Sequence, residues 1–131
     1  MIMSKLLLTS AIMLSLSGVA YAADPPEWMK QVTPPQELAS AWQEFQSIYS
    51  DGALPEKTKE LVGLAVAAQI PCQYCVMAHT RFAKAAGATD AEIKEAIAAS
   101  ALVRKWSTML NGNAYDMASF EKQLPSGKPI N

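Results

Sequence analysis

The sequence predicts an all-α fold, a small domain of about five helices with an antiparallel helical core. No stretch of the 131 residues alternates apolar and polar side chains in the way of a half-buried strand. Apolar side chains recur instead at helical spacing, as they do at Leu38, Trp42, Phe45 and Tyr49. Glycines and prolines interrupt these segments at short intervals, so we expect neighbouring helices joined by short turns.

The first predicted helix begins near Pro34, at the position where the missing N–H of proline costs nothing. Thr33 is expected to be its N-cap, and Gln36, three residues later, would complete a capping box. Asp51-Gly52 should end this helix.

Four further helices are expected, over residues 55–69, 72–86, 89–110 and 114–122. Pro71 separates the first two, because the residue before a proline resists the helical conformation. Gly87 ends the helix that begins at Cys72. The sequence Thr89-Asp90-Ala91-Glu92 is a second capping box, which opens the long helix.

Both ends of the chain lie outside this domain, which we place at residues 34–124. Residues 1–22 have the order of a secretory signal: Lys5, a short apolar run, then Ala20-Tyr21-Ala22. We predict cleavage after Ala22, with an uncleaved membrane anchor as the alternative, and hence a periplasmic or secreted protein. Residues 23–33 are expected to form an extended, proline-rich lead-in, and residues 125–131 a disordered tail.

The charge of the chain excludes some partners. Its formal net charge is −1, and removal of the one lysine of residues 1–22 leaves a net charge of −2. A weakly acidic domain offers no electrostatic basis for binding nucleic acid or an anionic membrane. No stable membrane insertion is therefore expected after cleavage of the signal.

The chemically reactive residues fall in one short stretch, PCQYCVMAHTR at residues 71–81. Cys72 and Cys75 are the only cysteines of the chain, and His79 is its only histidine. In a helix that begins at Cys72, the three side chains share one face. The unpaired N–H groups of the first turn stabilise a thiolate, and an imidazole one turn later can accept its proton. A nucleophile beside a base is the minimum for thiol catalysis.

Several interpretations of this stretch remain open at this point. Attachment of a c-type haem is excluded, because Val76 rather than histidine follows the second cysteine. A zinc site could use both cysteines, His79 and Glu60, although no second Cys/His cluster exists. A purely structural disulfide is the simplest interpretation for an exported protein. However, a disulfide that closes a loop of about four residues stabilises the folded protein by only about 2 kcal/mol.

The combination of motifs over residues 51–100 resembles the alkylhydroperoxidase D-like (AhpD-like) family, within the carboxymuconolactone decarboxylase superfamily. The residues that carry the resemblance are DGALPEKTKELVGLAVAAQIPCQYCVMAHTRFAKAAGATDAEIKEAIAAS. They contain a Lys-Glu-Leu helix start, a helix of small residues, a CxxC motif with histidine four residues later, a glycine turn and a Thr-Asp-x-Glu-Ile helix. With the first helix, the resemblance extends over about residues 34–106.

The resemblance implies a set of site residues. Cys75 matches the cysteine that attacks peroxide, and Cys72 matches the resolving cysteine, so that the two form a redox disulfide. His79 matches the family histidine, and Glu60 matches a glutamate twelve residues before the first cysteine. Tyr74 holds a position between the cysteines that often carries histidine or tyrosine, so it is a candidate to line the site. Without the resemblance, we would interpret Glu60 as an ordinary solvated acid with lysines as its neighbours in the sequence.

The function that the resemblance implies is a thiol-dependent peroxidase, an antioxidant oxidoreductase with a Glu60–His79 proton relay. We expect a small-molecule peroxide as substrate, an unknown thiol reductant, no cofactor or metal, and a homo-oligomer, trimeric or hexameric. Val76, Met77 and Phe82 are candidates to line a channel, with core or interface packing as the alternative. Two other functions stay open: thiol-disulfide exchange without peroxidase activity, and a metal-binding or structural helical oligomer.

Overall fold

The computed structural model describes residues 23–125, and all of the regular secondary structure in that range is helical. The predicted all-α class is therefore confirmed. Six helices follow one another: α1 Glu27–Val32, α2 Pro35–Tyr49, α3 Glu56–Gln69, α4 Gln73–Ala85, α5 Asp90–Gly112 and α6 Met117–Gln123. The signal segment and most of the predicted tail lie outside the described residues.

Helix α3 is the centre of the domain, since it packs against both α4 and α5. Leu64 of α3 and Ala83 of α4 are completely buried, and Ala67 is 2% exposed. Small side chains at two of these three positions let the helix backbones approach closely. Ile93 of α5 completes this buried centre. Helix α2 contacts α3 sparsely and meets α4 through aromatic side chains, Phe45 against Phe82 and Tyr49 against His79.

The two predicted capping boxes have opposite outcomes. The one at the start of α5 is present: Thr89 Oγ1 accepts from the Glu92 N–H, and the Glu92 side chain accepts from the Thr89 N–H. The one at the first predicted helix is wrong. Helix α2 begins at Pro35 with Pro34 as its N-cap and no side-chain capping bond. Thr33 lies one residue too early because it ends the preceding helix, where its N–H donates to the carbonyl of Met29.

That preceding helix, α1, corrects the prediction of an extended lead-in over residues 23–33. The prolines lie on both sides of residues 27–32 and not within them, so no missing N–H interrupts a helical turn. Glu27 in the first turn and Lys30 in the last turn also complement the helix dipole. Burial of Met29, which is 5% exposed, anchors the short helix to the domain.

The second half of α5 extends beyond the packed centre, and residues 101–109 are all exposed. Several of them are large and apolar: Leu102, Val103, Trp106 and Met109 are between 50% and 71% exposed. Among residues 23–125, none of the helices combines the length and the apolar character that a bilayer crossing requires.

Candidate functional site

The two cysteines lie where α4 begins. They form a disulfide with Cα atoms 5.3 Å apart. Cys72 is the N-cap of α4 and not its first helical residue, and its Sγ accepts a hydrogen bond from the N–H of Cys75 at 3.2 Å. One of the N–H groups that a helix start leaves unpaired is therefore directed at sulfur. Pro71 and Cys72 turn the chain out of α3, and the Cys72 N–H donates back to the carbonyl of Ala67.

His79 lies one turn beyond Cys75 on α4, and its ring lies within hydrogen-bonding distance of Glu60 of α3. The distance from His79 Nδ1 to Glu60 Oε2 is 2.7 Å. The Glu60 side chain is fully buried, and that of His79 is 14% exposed. Because a carboxylate oxygen accepts hydrogen bonds, Nδ1 is assigned as the donor in this contact, and Nε2 is the second nitrogen of the ring. Residues 19 apart in sequence thus form one acid–base pair, whose acid is fully buried and whose base is partly exposed.

Glu60 is buried because it follows the helical period of the inner face of α3. Glu60, Leu64 and Ala67 are separated by four and three residues, and each of them faces the packed centre. The alternative of a solvated acid among lysines is therefore wrong. The neighbouring lysines bind elsewhere: Lys57 pairs with Glu92 at 2.7 Å, and Lys59 donates to the carbonyl of Ser50 at 2.7 Å. Burial of a carboxylate costs free energy unless a partner such as His79 forms a hydrogen bond with it.

Two further residues contact the imidazole, and the sequence analysis assigned neither to the site. The ring centroid of Tyr49, the last residue of α2, lies 5.3 Å from that of His79 at an interplanar angle of 36°. Gly63 lies under the imidazole: a Cβ at this position would be 2.8 Å from Cε1, 2.9 Å from Nδ1 and 3.0 Å from Nε2. Nearly equal distances to three ring atoms mean an approach over the face of the ring.

Both Gly63 and Tyr49 stand at positions that the sequence pattern distinguishes. An isolated glycine inside a helical segment often marks a close approach of another group to the backbone. Tyr49 is the last member of the aromatic stripe on the first predicted helix. Its pKa is raised, first by burial and then by the negative charge of Glu60, so its hydroxyl keeps its proton at neutral pH.

A pocket of about 370 Å³ gives access to this arrangement, and both Cys75 and His79 line it. Its other walls are mostly apolar and come from α2, the following loop and α3, including Ile48, Tyr49, Leu54, Val62 and Val66. Cys75 and His79 therefore share one pocket whose other lining side chains are mostly apolar.

The other proposed lining residues lie elsewhere. Val76 and Met77 line a separate groove with Ala68 and Pro71, so they are not part of the pocket that contains His79. Phe82 packs edge-on against Phe45 at 6.4 Å between centroids, which is a packing role. Tyr74 is 88% exposed, and its side chain is not part of the pocket lining. The aromatic side chain that lines the pocket is that of Tyr49.

The zinc hypothesis required a group of at least three ligating side chains. Within residues 23–125, no three histidine, cysteine, aspartate or glutamate side chains converge in a way that could hold a metal ion. The two sulfurs are bonded to each other, and Glu60 is directed at His79.

Comparison with known proteins agrees with this architecture. Residues 36–116 match the model of the carboxymuconolactone decarboxylase family. The chain is 36% identical over 66 residues to "Uncharacterized protein 4 in cox locus" of Paracoccus denitrificans, a match over 50% of this chain and 60% of that protein. It is 39% identical over 66 residues to a Mycobacterium tuberculosis protein named alkyl hydroperoxide reductase, again over 50% of this chain but only 19% of that protein. The matches therefore span less than two thirds of either relative.

Solved structures give the same result for the fold. The alkylhydroperoxidase AhpD core from Rhodospirillum rubrum superposes with a TM-score of 0.60 at 28% identity, over 63% of this chain and 62% of that chain. A protein from Methanobacterium thermoautotrophicum superposes with a TM-score of 0.58 at 30% identity, over 66% of this chain and 96% of that chain. This chain belongs to the carboxymuconolactone decarboxylase family and is one of its AhpD-like members.

Proposed function

We propose that the protein is an exported thiol-dependent peroxidase, an antioxidant oxidoreductase that uses Cys72 and Cys75 as its redox pair. The observation that carries the proposal is the partly buried Glu60–His79 pair, whose histidine lines the same pocket as Cys75. A partly buried base that shares a pocket with a cysteine is an arrangement that favours thiolate formation. The alkyl hydroperoxide reductase name of a relative supports this chemistry for the present chain.

The proposed reaction begins with the reduced pair. The Cys75 thiol gives its proton to Nε2 of His79, and Glu60 stabilises the resulting imidazolium through Nδ1–H. The Cys75 thiolate attacks the terminal oxygen of a hydroperoxide, so that an S–O bond forms and the O–O bond breaks. The leaving alkoxide takes the proton from His79 and departs as an alcohol. Cys75 is now a sulfenic acid, oxidised by two electrons.

The second half of the cycle restores the thiols. The Cys72 sulfur attacks the sulfenic acid sulfur and releases water, which gives the Cys72–Cys75 disulfide seen in the structure. A thiol reductant then reduces the disulfide in two exchange steps, and its own two thiols become a disulfide. The N–H of Cys75 stabilises negative charge on Cys72 Sγ, which favours Cys72 as leaving group when the reductant attacks Cys75.

The proposal includes export, on the basis of residues 1–22, and therefore a reductant that acts outside the cytoplasm. Purification of the mature protein and determination of its N-terminus would test this part. The expected first residue is Ala23. An N-terminus that retains the apolar segment would contradict cleavage and support the membrane-anchor alternative.

The decisive experiment is trapping of the oxidised sulfur. After reduction with dithiothreitol and its removal, the Cys72→Ser protein is treated with cumene hydroperoxide and with a sulfenic acid reagent, and the adduct is located by mass spectrometry. We expect the adduct on Cys75, and no peroxide consumption by Cys75→Ser. The proposal fails if Cys75→Ser still consumes peroxide. Mixed disulfides with protein thiols together with indifference to peroxide would favour thiol-disulfide exchange instead.

We also propose that the protein is a homo-oligomer, because α5 presents an apolar face that no described residue of the chain covers. Leu102, Val103, Trp106 and Met109 lie on one side of this helix, and Val103 also lines an apolar groove with Val62 and Val66 of α3. An exposed patch of this kind is typical of an interface. Light scattering should give a multiple of the monomer mass, and Trp106→Lys should reduce it. A wild-type protein that is monomeric at micromolar concentration would contradict the proposal.

A further inference from the structure

The imidazole of His79 is held from three directions by side chains or backbone of α2 and α3. Glu60 accepts from its Nδ1 at 2.7 Å, the backbone of Gly63 lies against one face, and the ring of Tyr49 lies 5.3 Å away between centroids. Glu60 and Gly63 belong to the same helix, whereas Tyr49 comes from a helix that packs only sparsely on α3. The contact with Tyr49 therefore depends on a separate feature of the structure.

We propose that Tyr49 is a positioning residue whose aromatic ring keeps the His79 imidazole on Glu60 and thereby fixes which ring nitrogen faces the pocket. This inference rests on the proposed function, because it concerns the base of the same site. The inference means that α2, which carries none of the sequence motifs, contributes a positioning residue to the site.

The first argument is that α2 is built to bring this ring to His79. Trp42, Phe45 and Tyr49 form a row on one side of α2, with ring centroids 5.6 Å and 5.1 Å apart. Phe45 also packs edge-on against Phe82 of α4. Trp42 is buried, so the row is anchored at its far end in the domain. Such aromatic pairs are favourable, so the row stabilises the packing of α2, and Tyr49 is the member of the row that contacts the imidazole.

The second argument concerns rotation of the imidazole. A half-turn about its Cβ–Cγ bond would place the Cδ2 carbon, which cannot form a strong hydrogen bond, where Nδ1 now meets Glu60. It would also replace Nε2 with a carbon at the pocket. The close contact with Gly63 and the ring of Tyr49 both obstruct that motion. Loss of the Tyr49 ring leaves room for the turn, since the His79 side chain is already 14% exposed to solvent.

The third argument separates the ring of Tyr49 from its hydroxyl group. Burial and the charge of Glu60 raise the pKa of Tyr49, so the residue is a neutral phenol under working conditions and supplies no charge to the relay. Among the residues described, the contact that joins it to His79 is one between rings. Phenylalanine at this position should therefore preserve the arrangement, whereas an aliphatic side chain should not.

His79 is the only histidine of the chain, so its imidazole can be observed without assignment of competing signals. We would record ¹⁵N–¹H correlation spectra of the imidazole in the reduced, full-length Cys72→Ser protein, at a pH where the ring is neutral. The two-bond couplings distinguish the Nδ1–H tautomer from the Nε2–H tautomer. In the same samples, the rate at which iodoacetamide alkylates Cys75 measures how readily the Cys75 thiol gives up its proton to His79.

The variants are Tyr49→Phe, Tyr49→Leu and, as a matched control on the same aromatic row, Phe45→Leu. Tyr49→Phe should keep the Nδ1–H tautomer and the alkylation rate of the parent. Tyr49→Leu should show averaged tautomer signals and alkylation slower by about 10- to 100-fold, the loss that an error of about 1 Å in placement causes. Phe45→Leu should lower the melting temperature without either change. If Tyr49→Leu does not fold, Tyr49→Met replaces it, because the unbranched side chain of methionine adapts more easily to the space.

The proposal is overturned if Tyr49→Leu keeps both the tautomer and the alkylation rate. It is also overturned if Phe45→Leu has the same effect, which would mean a general structural role, or if Tyr49→Phe loses as much as Tyr49→Leu, which would place the effect in the hydroxyl. Neither readout uses peroxide. A protein that shows the expected tautomer changes but consumes no peroxide would contradict the proposed function and leave the positioning role of Tyr49 established.

Discussion

Replacement of Gly63 by alanine tests the geometry of the site with a single methyl group. The new Cβ would be 2.8–3.0 Å from three atoms of the His79 imidazole, whereas an ordinary contact between such atoms is about 3.5–4.0 Å. The imidazole must therefore retreat by about 0.5–1 Å. Because Gly63 lies over the face of the ring, this shift is nearly perpendicular to the 2.7 Å contact with Glu60, so it lengthens that contact by only about 0.2 Å and mainly moves Nε2 relative to Cys75.

The expected effects on stability and on activity differ in size. Overpacking costs about 1–3 kcal/mol, and replacement of an interior helical glycine by alanine returns about 1 kcal/mol. The net loss in free energy of unfolding is then about 0–2 kcal/mol, or at most about 8–16 °C in melting temperature for a domain of this size. Displacement of the base by up to 1 Å should slow oxidation of Cys75 by about 100-fold.

The assay follows the rate at which the reduced protein consumes cumene hydroperoxide, with thermal unfolding by circular dichroism on the same samples. Gly112→Ala is the matched control, because a Cβ at that helical position meets nothing within 4 Å. It should leave the oxidation rate unchanged. A Gly63→Ala protein that gains about 1 kcal/mol of stability and oxidises at the parent rate would refute the close contact between Gly63 and His79.

Two other changes test the charges of the domain. Glu60→Gln removes the carboxylate that pairs with His79 but keeps its shape. The rate of Cys75 oxidation by peroxide should fall by about 100-fold. Spectrophotometric titration should show a lower pKa for Tyr49, because the charge of Glu60 contributes to raising that pKa. An unchanged oxidation rate would exclude the relay. The pKa of Glu92 is lowered from 4.5 to about 2, first by the hydrogen bond from Lys57 and then by Thr89. Glu92 therefore stabilises the fold above about pH 4.5, and this contribution disappears as the pH falls towards 2, so that Glu92→Gln should flatten the stability curve in this window. Urea unfolding at several pH values measures the effect, and parallel curves for variant and parent would contradict it.

Predictions from the sequence were most successful where a structural feature depends only on residues close together in the chain. The capping box at Thr89 and Glu92 formed as predicted because both partners are three residues apart and need nothing from the rest of the chain. The first capping box failed because a competing local event, the short helix α1, used Thr33 as its end. That helix was missed because prolines on both sides of residues 27–32 suggested an extended segment, although none lies inside it.

The candidate site shows the same division. The helical spacing of Cys75 and His79 is a property of one segment, and it was readable without a structure. Glu60 could be named only through the family resemblance, since its neighbours in sequence suggest a solvated position. Its burial results from the packing of α3 against α4, which no local pattern encodes.

By itself, then, the sequence determined five of the six helices of residues 23–125, most of their ends, and the placement of two cysteines at the start of a helix that carries the one histidine a turn further on, because these follow from short-range hydrogen bonding and periodicity. Only the tertiary structure decided the surroundings of that histidine: a carboxylate at 2.7 Å, a glycine under its ring and a tyrosine from α2 beside it. These contacts join residues between 16 and 30 positions apart in the chain, and their geometry arises only when three separate helices pack together.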